Sequence, residues 1–532
     1  MRIERIIIEN YRCLAHADVS FNEKLNIIVG NNECGKSTLL EAAHLGLTGQ
    51  INGRPLQIEL HPFLFNQQCV LNYIQALSED KTPAPPHILI ELYLADCPEL
   101  ARFKGTNNGQ KKDQPGLSVR IELNPDHADD FAQYVADPKE MRTIPIEYYW
   151  IKWRDFADNE ITSPRLIPLK SSLIDASTIR NNQAASRYVV DIVRDSLTSK
   201  ERVDLSLSYR LMKDKFLDQP KVKAVNDALA EKKGVISDKA LSFALDTSAR
   251  ATWEAGVMPH LDDIPLSLAG KGEQNCVKIK LAMETSEESH IILIEEAENH
   301  LSYANLNELI GHISANAGER QIFITTHSSF VLNKLGVDSV LLFHRGDGVR
   351  LTDLDDDTTQ DYFMKLPGHD TLRLILARRS ILVEGPSDEL IVQRAYAMKH
   401  GKMPLEDGVD VISVNSLAFK RFLEIAKLLR KEVDIVTDND GKPERVKANY
   451  AAYDDVEFIQ VQYDGDAGAR SLEQQMVKKN GRPTVNTILG TAFETDDELI
   501  DYMTNRKANT ALAFFETATA WLPPDYIARA VR

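Results

Sequence analysis

Positive charge is scarce in this sequence: its 532 residues carry 62 Lys and Arg against 79 Asp and Glu, a formal net charge of −17. That balance excludes a basic coat over nucleic acid or anionic lipid, though a local basic groove remains open. No apolar run approaches the roughly 18 residues that a membrane helix needs. The opening stretch has only Ile6, Ile7 and Ile8 in an uninterrupted apolar run, which is no signal peptide. The cysteines, Cys13, Cys34, Cys69, Cys97 and Cys276, are odd in number and scattered, so neither a disulfide framework nor a zinc knuckle is supported. Prolines cluster only around 83–86 and at Pro523-Pro524, and there is no internal repeat. These absences predict a cytoplasmic protein with no membrane association.

What is present is globular: 43% hydrophobic and 27% charged residues. At ~150 residues per domain, this length predicts several units rather than one core. Leu25 to Val29 reads as a buried strand ending in a glycine turn, and the spacing of Leu39, Leu40, Ala43 and Leu47 predicts a helix from Lys36. His87 to Leu94 and Leu117 to Leu123 read as strands. From about 170 to 250 alternation is missing, and Tyr188, Val189, Ile192, Val193 and Leu197 have helical spacing, which predicts a helical insert. Sheet character returns at Ile291 to Ile294, Gln321 to Thr325 and Ser339 to Phe343. A second α/β unit is expected near Arg379, with strands at Ser380 to Val383, Val409 to Val414 and Val433 to Thr437.

Gly30, Asn31, Asn32, Glu33, Cys34, Gly35, Lys36 and Ser37, followed by Thr38, fit a phosphate-binding loop set between strand and helix. Amide groups at the helix start cradle phosphates, Lys36 reaches the outer ones and the Ser37 hydroxyl ligates Mg2+. Ile291 to Ile294 runs into Glu295 and Glu296, which suits one acid for the metal and one, Glu296, as general base. Farther on, Glu384 follows the apolar Ile381 to Val383, with Asp388 just beyond, and Asp438 and Asp440 follow Ile435 to Thr437. Carboxylates at the ends of parallel strands converge and repel, so they predict a site for Mg2+ or Mn2+ that serves phosphodiester cleavage.

Several segments carry a family resemblance. Leu266 to Gln274, with Ser267, Gly270, Gly272 and Gln274, resembles the signature segment of ABC-type ATPases, and His327 in Thr325-Thr326-His327-Ser328 resembles their switch histidine. Lys271 departs from the small residue that many relatives carry there, which favours ATP binding over fast hydrolysis. Glu384-Gly385 and Asp438-Asn439-Asp440 resemble the TOPRIM domain. Glu473 resembles the further acidic ligand, and Lys507 the catalytic lysine, of the overcoming-lysogenization-defect (OLD) nucleases; neither obeys a spacing rule of its own, so the resemblance alone carries them.

The resemblance implies an α/β chain: an ABC-type ATPase over 1–165 and 251–375, interrupted by a helical, dimerising insert at 166–250, then a TOPRIM domain with a parallel sheet over 376–532. It implies an ATP-binding, metal-dependent DNA endonuclease, similar to the Gabija nuclease subunit and retron-associated effectors of anti-phage defence. A homodimer or higher homo-oligomer follows from ATP sites completed by a second copy. Partners implied in this way are DNA and a defence component, either a helicase or a reverse transcriptase with its DNA. Two other readings stand beside it: a non-nucleolytic RecF- or SMC-like repair ATPase, and a TOPRIM effector held silent by a partner. Topoisomerase or primase chemistry also uses TOPRIM domains, but no segment is large enough for strand passage.

Overall fold

The computed structural model describes every residue except 31–33, 80, 138–140, 176–188, 191–192, 195–196, 234–237, 249–250, 286–289, 328–338, 345, 351–368 and 415–418. Strands β1 (Ile3–Tyr11), β2 (Leu14–Ser20) and β3 (Leu25–Val29) lead into helix α1 (Lys36–Thr48), on which Leu39, Leu40, Ala43 and Leu47 are buried as their spacing predicts. Strands β4 (Ile88–Leu94), β5 (Gln114–Leu123) and β6 (Tyr149–Asp155) pair in antiparallel fashion beside β1.

Strand β7 (Ser171–Asp175) then pairs parallel with β8 (Ile291–Glu295). The expected helical insert therefore cannot begin at 166, because 171–175 belongs to the same sheet as β3 and β8. Only helices α2 (Ser199–Leu217) and α3 (Pro220–Ala230) fall in the expected helical stretch as long described elements. Tyr188 and Ile192, two of the residues that suggested the insert, lie outside the described residues. Helix α4 (Lys271–Thr285), β8, α5 (Tyr303–Asn316), β9 (Gln321–Thr326), β10 (Val340–His344) and β11 (Asp347–Arg350) complete this part.

The sheet order is β7-β8-β9-β3-β10-β11-β2-β1-β4-β5, with β7 through β10 mutually parallel. Ile291 to Ile294 of β8 are wholly buried, and each such side chain contributes about 1.5–3 kcal/mol through removal from water. Buried Gln321 ties the antiparallel strands to this parallel core. Its amide donates to the Ile3 and Asn22 carbonyls at 2.8 Å and accepts the Ile3 N–H at 2.8 Å.

A separate four-stranded parallel sheet follows, built from β12 (Arg379–Val383), α6 (Pro386–His400), β13 (Val409–Ser413), α7 (Phe419–Leu428), β14 (Glu432–Val436) and β15 (Ile459–Gln462), in the order β13-β12-β14-β15. Strands β12, β13 and β14 are buried on both faces along most of their length, the pattern of a sheet covered by helices. Helices α8 (Leu472–Asn480), α9 (Arg482–Leu489), α10 (Asp496–Asn505), α11 (Lys507–Glu516) and α12 (Asp525–Ala530) cover one face, where Met476, Met503, Phe514 and Ile527 pack with Ile381 and Val383. No described helix is long and apolar enough to cross a membrane.

Candidate functional site

The first site gathers where β3, β8 and β9 end together. Gly35, at φ +98°, starts α1 in a left-handed conformation that favours glycine. Asn31, Asn32 and Glu33 lie outside the described residues. Lys36 is buried and donates through Nζ to the Gly30 carbonyl at 2.9 Å. Burial lowers its pKa, against the opposing pull of Cys34, Glu296, Glu298 and Glu295. Burial likewise pushes the Cys34 thiol up. Ser37 is exposed at the helix start, and Thr38 is buried beneath it with its hydroxyl 3.3 Å from Cys13 Sγ.

Glu296 sits at φ +47°, its amide donating to the Thr325 hydroxyl at 3.0 Å and its carboxylate taking Asn299 Nδ2 at 2.5 Å. His327 Nε2 stands 3.6 Å from Glu296 Oε1. Burial, and then the nearby Lys36 charge, lower the His327 pKa against the opposing pull of Glu296 and Glu298. A residue not singled out by sequence, Glu298, accepts the Thr326 hydroxyl at 2.7 Å and the His327 amide at 2.5 Å. The only signal for it was a third carboxylate in Glu-Glu-Ala-Glu. Glu295 ends β8 beside these groups.

The signature-like segment packs on the far end of this carboxylate loop. A Cβ on Gly272 would meet the His300 carbonyl oxygen at 2.3 Å, so only glycine permits that approach. Asn275, fully buried, reaches the Ala297 and Asn299 carbonyls at 3.4 and 3.3 Å. Gln274 donates to the Ala269 carbonyl at 2.9 Å. Ser267, whose hydroxyl lies 3.8 Å from Met258 Sδ, and Gly270 flank Leu268, which is 72% exposed.

The second site lies at the C-terminal ends of β12 and β14, whose register sets Val383 beside Val436. Glu384 Oε1 accepts the Thr437 hydroxyl at 2.6 Å and the Asp438 amide at 3.0 Å. Asp388 reaches back from the first turn of α6 to the Gly385 amide at 3.1 Å. Asp438 Oδ2 accepts the Leu472 amide at 3.2 Å, which fixes the start of α8 and brings in buried Glu473. Lys507, at the start of α11, places Nζ 3.7 Å from Glu473 Oε1.

Burial, followed by the charges of its carboxylate neighbours, pushes Asp388 up to about 6. The same causes push Asp438 to about 8. Glu384 and Glu473 act on both. Tyr526, unmarked by sequence, is buried with its hydroxyl 3.5 Å from Asp438 Oδ1; burial and all four carboxylates raise its pKa far above the ordinary value. No local pattern in the sequence pointed to a tyrosine 88 residues beyond its partner.

Asp440, expected in the same set, differs in its exposure. It is exposed, at φ +47°, and does not figure among the charges that shift Asp388 and Asp438. Buried Asn439 donates to the Asp464 and Asp466 carbonyls at 2.9 and 2.8 Å, so a turn and not a strand carries Asp440. The remaining donors are all carboxylate oxygens, the set that Mg2+ or Mn2+ prefers, and their mutual repulsion is what a divalent cation relieves. Among the described residues no three His, Cys, Asp or Glu side chains are yet grouped to hold one ion, so ligation requires side-chain rotation.

Comparison with known proteins divides along the same line. Residues 5–135 match the model of an AAA domain. Residues 375–440 match the overcoming lysogenization defect protein-like TOPRIM domain. The chain thus carries a segment similar to an AAA domain and, farther on, one similar to an OLD-like TOPRIM domain. The chain is also 52% identical over 42 residues to the DNA replication and repair protein RecF of Actinobacillus succinogenes, and 50% identical over 42 residues to that of Pasteurella multocida. Those segments cover 8% of this chain and 12% of each RecF, so the match spans a small part of the relatives' length.

Similar solved structures include the SMC head bound to the C-winged helix domain of ScpA (13% identity, TM-score 0.32, 65% of this chain and 97% of that chain). The SMC head domain from Thermotoga maritima (13%, 0.30, 66% and 98%) and the recombination mediator protein RecF of the RecFOR pathway (13%, 0.32, 65% and 97%) are similar to the same extent. At that degree of likeness they carry no argument about activity.

Proposed function

We propose that this chain is an ATP-binding, Mg2+- or Mn2+-dependent DNA endonuclease whose ATPase part governs a C-terminal nuclease site, in anti-phage defence. One observation carries the reading: Glu384 and Asp438 at the ends of parallel strands, with Asp388 and Glu473 at the starts of the helices packed beside them, lie near enough for burial and then their mutual charge to push Asp388 and Asp438 toward neutrality. When bound there, the cation supplies charge neutralisation and Lewis-acid polarisation of a phosphodiester. Thr437 and the Asp438 amide orient Glu384, and Lys507 stabilises charge on the scissile phosphate. At the first site Lys36 and Ser37 take the phosphates, Glu295 the metal side, and Glu296 and His327 the attacking water.

The exposed Leu268 and the open surface at Gly270 support docking of the signature segment of one copy onto the nucleotide site of another. DNA, a homo-oligomer and a defence partner are parts of the same proposal. The RecF-like segment supports a second reading, a repair ATPase without nuclease activity. Plasmid cleavage with Mg2+ or Mn2+, with and without ATP, decides between them. Cutting that disappears in Glu384→Ala establishes the nuclease, and Lys36→Ala reports whether nucleotide drives or restrains it. Intact plasmid in every condition, with ATP turnover retained, favours the repair ATPase.

A further inference from the structure

The short helix α12 is fastened to the elements that present acids to the second site. Arg379, at the start of the strand that runs into Glu384, donates through Nη2 to the Ala530 carbonyl at 2.6 Å. His400, at the end of the helix that carries Asp388, donates through Nε2 to the Val531 carbonyl at 3.0 Å. Lys479, on the helix that carries Glu473, pairs with Asp525 at 2.5 Å. Arg529 adds a tie beside β15, through Nε to Gln462 Oε1 at 2.8 Å and Nη2 to the Tyr463 carbonyl at 2.9 Å.

Between these ties Tyr526 turns inward. It is 2% exposed and belongs to the core cluster that includes Val383 and Val436, the last residues of β12 and β14. Its hydroxyl donates to Asp438 Oδ1 at 3.5 Å; the bond is long, yet among the described residues the hydroxyl meets no other partner. The second oxygen, Oδ2, accepts the Leu472 amide at 3.2 Å. We propose that Tyr526 is a positioning residue of the nuclease site, its O–H setting the Asp438 carboxylate for the divalent cation. The proposal rests on the reading of these carboxylates as ligands of Mg2+ or Mn2+.

Two other roles fail on the same observations. A residue that only filled the core would be better as phenylalanine, which leaves no buried hydroxyl to satisfy. A nucleophile, the part a tyrosine plays in strand passage, must meet a phosphodiester, and a phenol this enclosed cannot. Holding Asp438 is what remains, and its chemistry is suited to that. A carboxylate offers about four lone-pair directions. With one oxygen on the Leu472 amide and the other on the phenol, the plane of the group is fixed and a lone pair on each oxygen is left for a cation. A neutral donor also fixes the carboxylate without the positive charge that a lysine or arginine would set against the metal. Groups that orient metal ligands in this way tune affinity without touching the ion.

The test is calorimetric titration of the full chain with Mn2+, as wild type, Tyr526→Phe and Glu384→Ala, beside metal-free melting and plasmid cutting over a range of Mn2+ concentrations. Tyr526→Phe keeps the buried ring and removes only the hydroxyl. It is expected to weaken Mn2+ about tenfold, the lower end of what losing a group that orients a metal ligand costs. Its metal-free melting temperature should not fall. The Mn2+ concentration for half-maximal cutting should rise by the same factor, while cutting at saturating Mn2+ returns to the wild-type rate, a split that a damaged fold does not produce. Wild-type Mn2+ affinity in Tyr526→Phe overturns the positioning role, as does a loss of cutting that saturating Mn2+ fails to restore or a loss of affinity that comes with a lower melting temperature. In those cases the metal site itself stands, provided that Glu384→Ala has lost Mn2+. If wild type binds no Mn2+, or Glu384→Ala binds it equally well, the metal reading falls and Tyr526 falls with it.

Discussion

Glu298 holds His327 by its backbone: Oε1 accepts the His327 amide at 2.5 Å while also taking the Thr326 hydroxyl at 2.7 Å. The end of β9, just before His327, is therefore clamped to the loop that carries Glu296. Glu298→Ala removes a charge-assisted pair of bonds, each worth roughly 1.5–3 kcal/mol. ATP turnover is expected to fall on the order of tenfold with ATP affinity nearly unchanged, because Glu298 bonds the strand and not Lys36. Phosphate release measured beside equilibrium binding checks it; an unaltered turnover number would refute the clamp.

The carboxylate cluster makes a prediction about pH. Asp388 and Asp438 are raised to about 6 and about 8, so the folded protein holds protons there that the unfolded chain has already released. The contribution to metal-free stability is full below the ordinary carboxylate range and is lost as pH rises through 6 and 8. A divalent cation must displace those protons, so its affinity rises over the same interval. Melting temperature with and without Mg2+ should show a metal-induced increase that is larger at pH 8 than at pH 6 and absent in Glu384→Ala. An increase that ignores pH would count against these carboxylates as the ligands.

Lys507 stands 3.7 Å from Glu473 and is half exposed. Glu473 is buried, but the ammonium lies at the solvent-exposed end of the pair and beyond hydrogen-bond distance, so its removal costs little stability. Lys507→Ala should therefore leave melting and Mg2+-induced stabilisation within error of wild type while plasmid cutting falls by about a hundredfold, the scale of removing one transition-state donor. Cutting at the wild-type rate would remove Lys507 from the reacting groups.

The legible parts of this protein were those in which a period and a turn coincide. The strand, glycine turn and helix from Leu25 to Leu47 pair a buried run with a 3.6-residue spacing, and both survive in β3 and α1. The same holds for Ile291 to Glu295 and for the strands leading to Glu384 and Asp438. Strand β7 was not legible: five residues, two of them serine, take their partner from β8, 120 positions later. Asp440 is placed by a turn and not by strand alternation. Alternation would put Asp438 and Asp440 on one side, but β14 ends at Val436, and Asn439 bends the chain inward beyond it. Glu298 and Tyr526 enter their sites through tertiary placement, which no local spacing encodes.

Under the second sheet, Asp434 is fully buried, and its Oδ2 takes Arg379 Nε at 2.9 Å and Nη2 at 2.5 Å. Burial outweighs the guanidinium and raises the Asp434 pKa, and its Oδ1 has no hydrogen-bond partner among the described residues. Arg379 also caps the chain end through the Ala530 carbonyl at 2.6 Å, so the pair fastens the last helix, and with it Tyr526, to the strand that leads to Glu384. Removing one partner strands a buried charge, at a cost of about 3–5 kcal/mol, whereas replacing both by apolar groups of similar volume is often near neutral. Arg379→Met should therefore lower the urea midpoint sharply, and Arg379→Met with Asp434→Leu should recover most of it. If the double variant is no more stable than the single one, the Ala530 carbonyl bond rather than the ion pair holds the terminus, and tightening of Tyr526 against Asp438 must be sought in α12 itself.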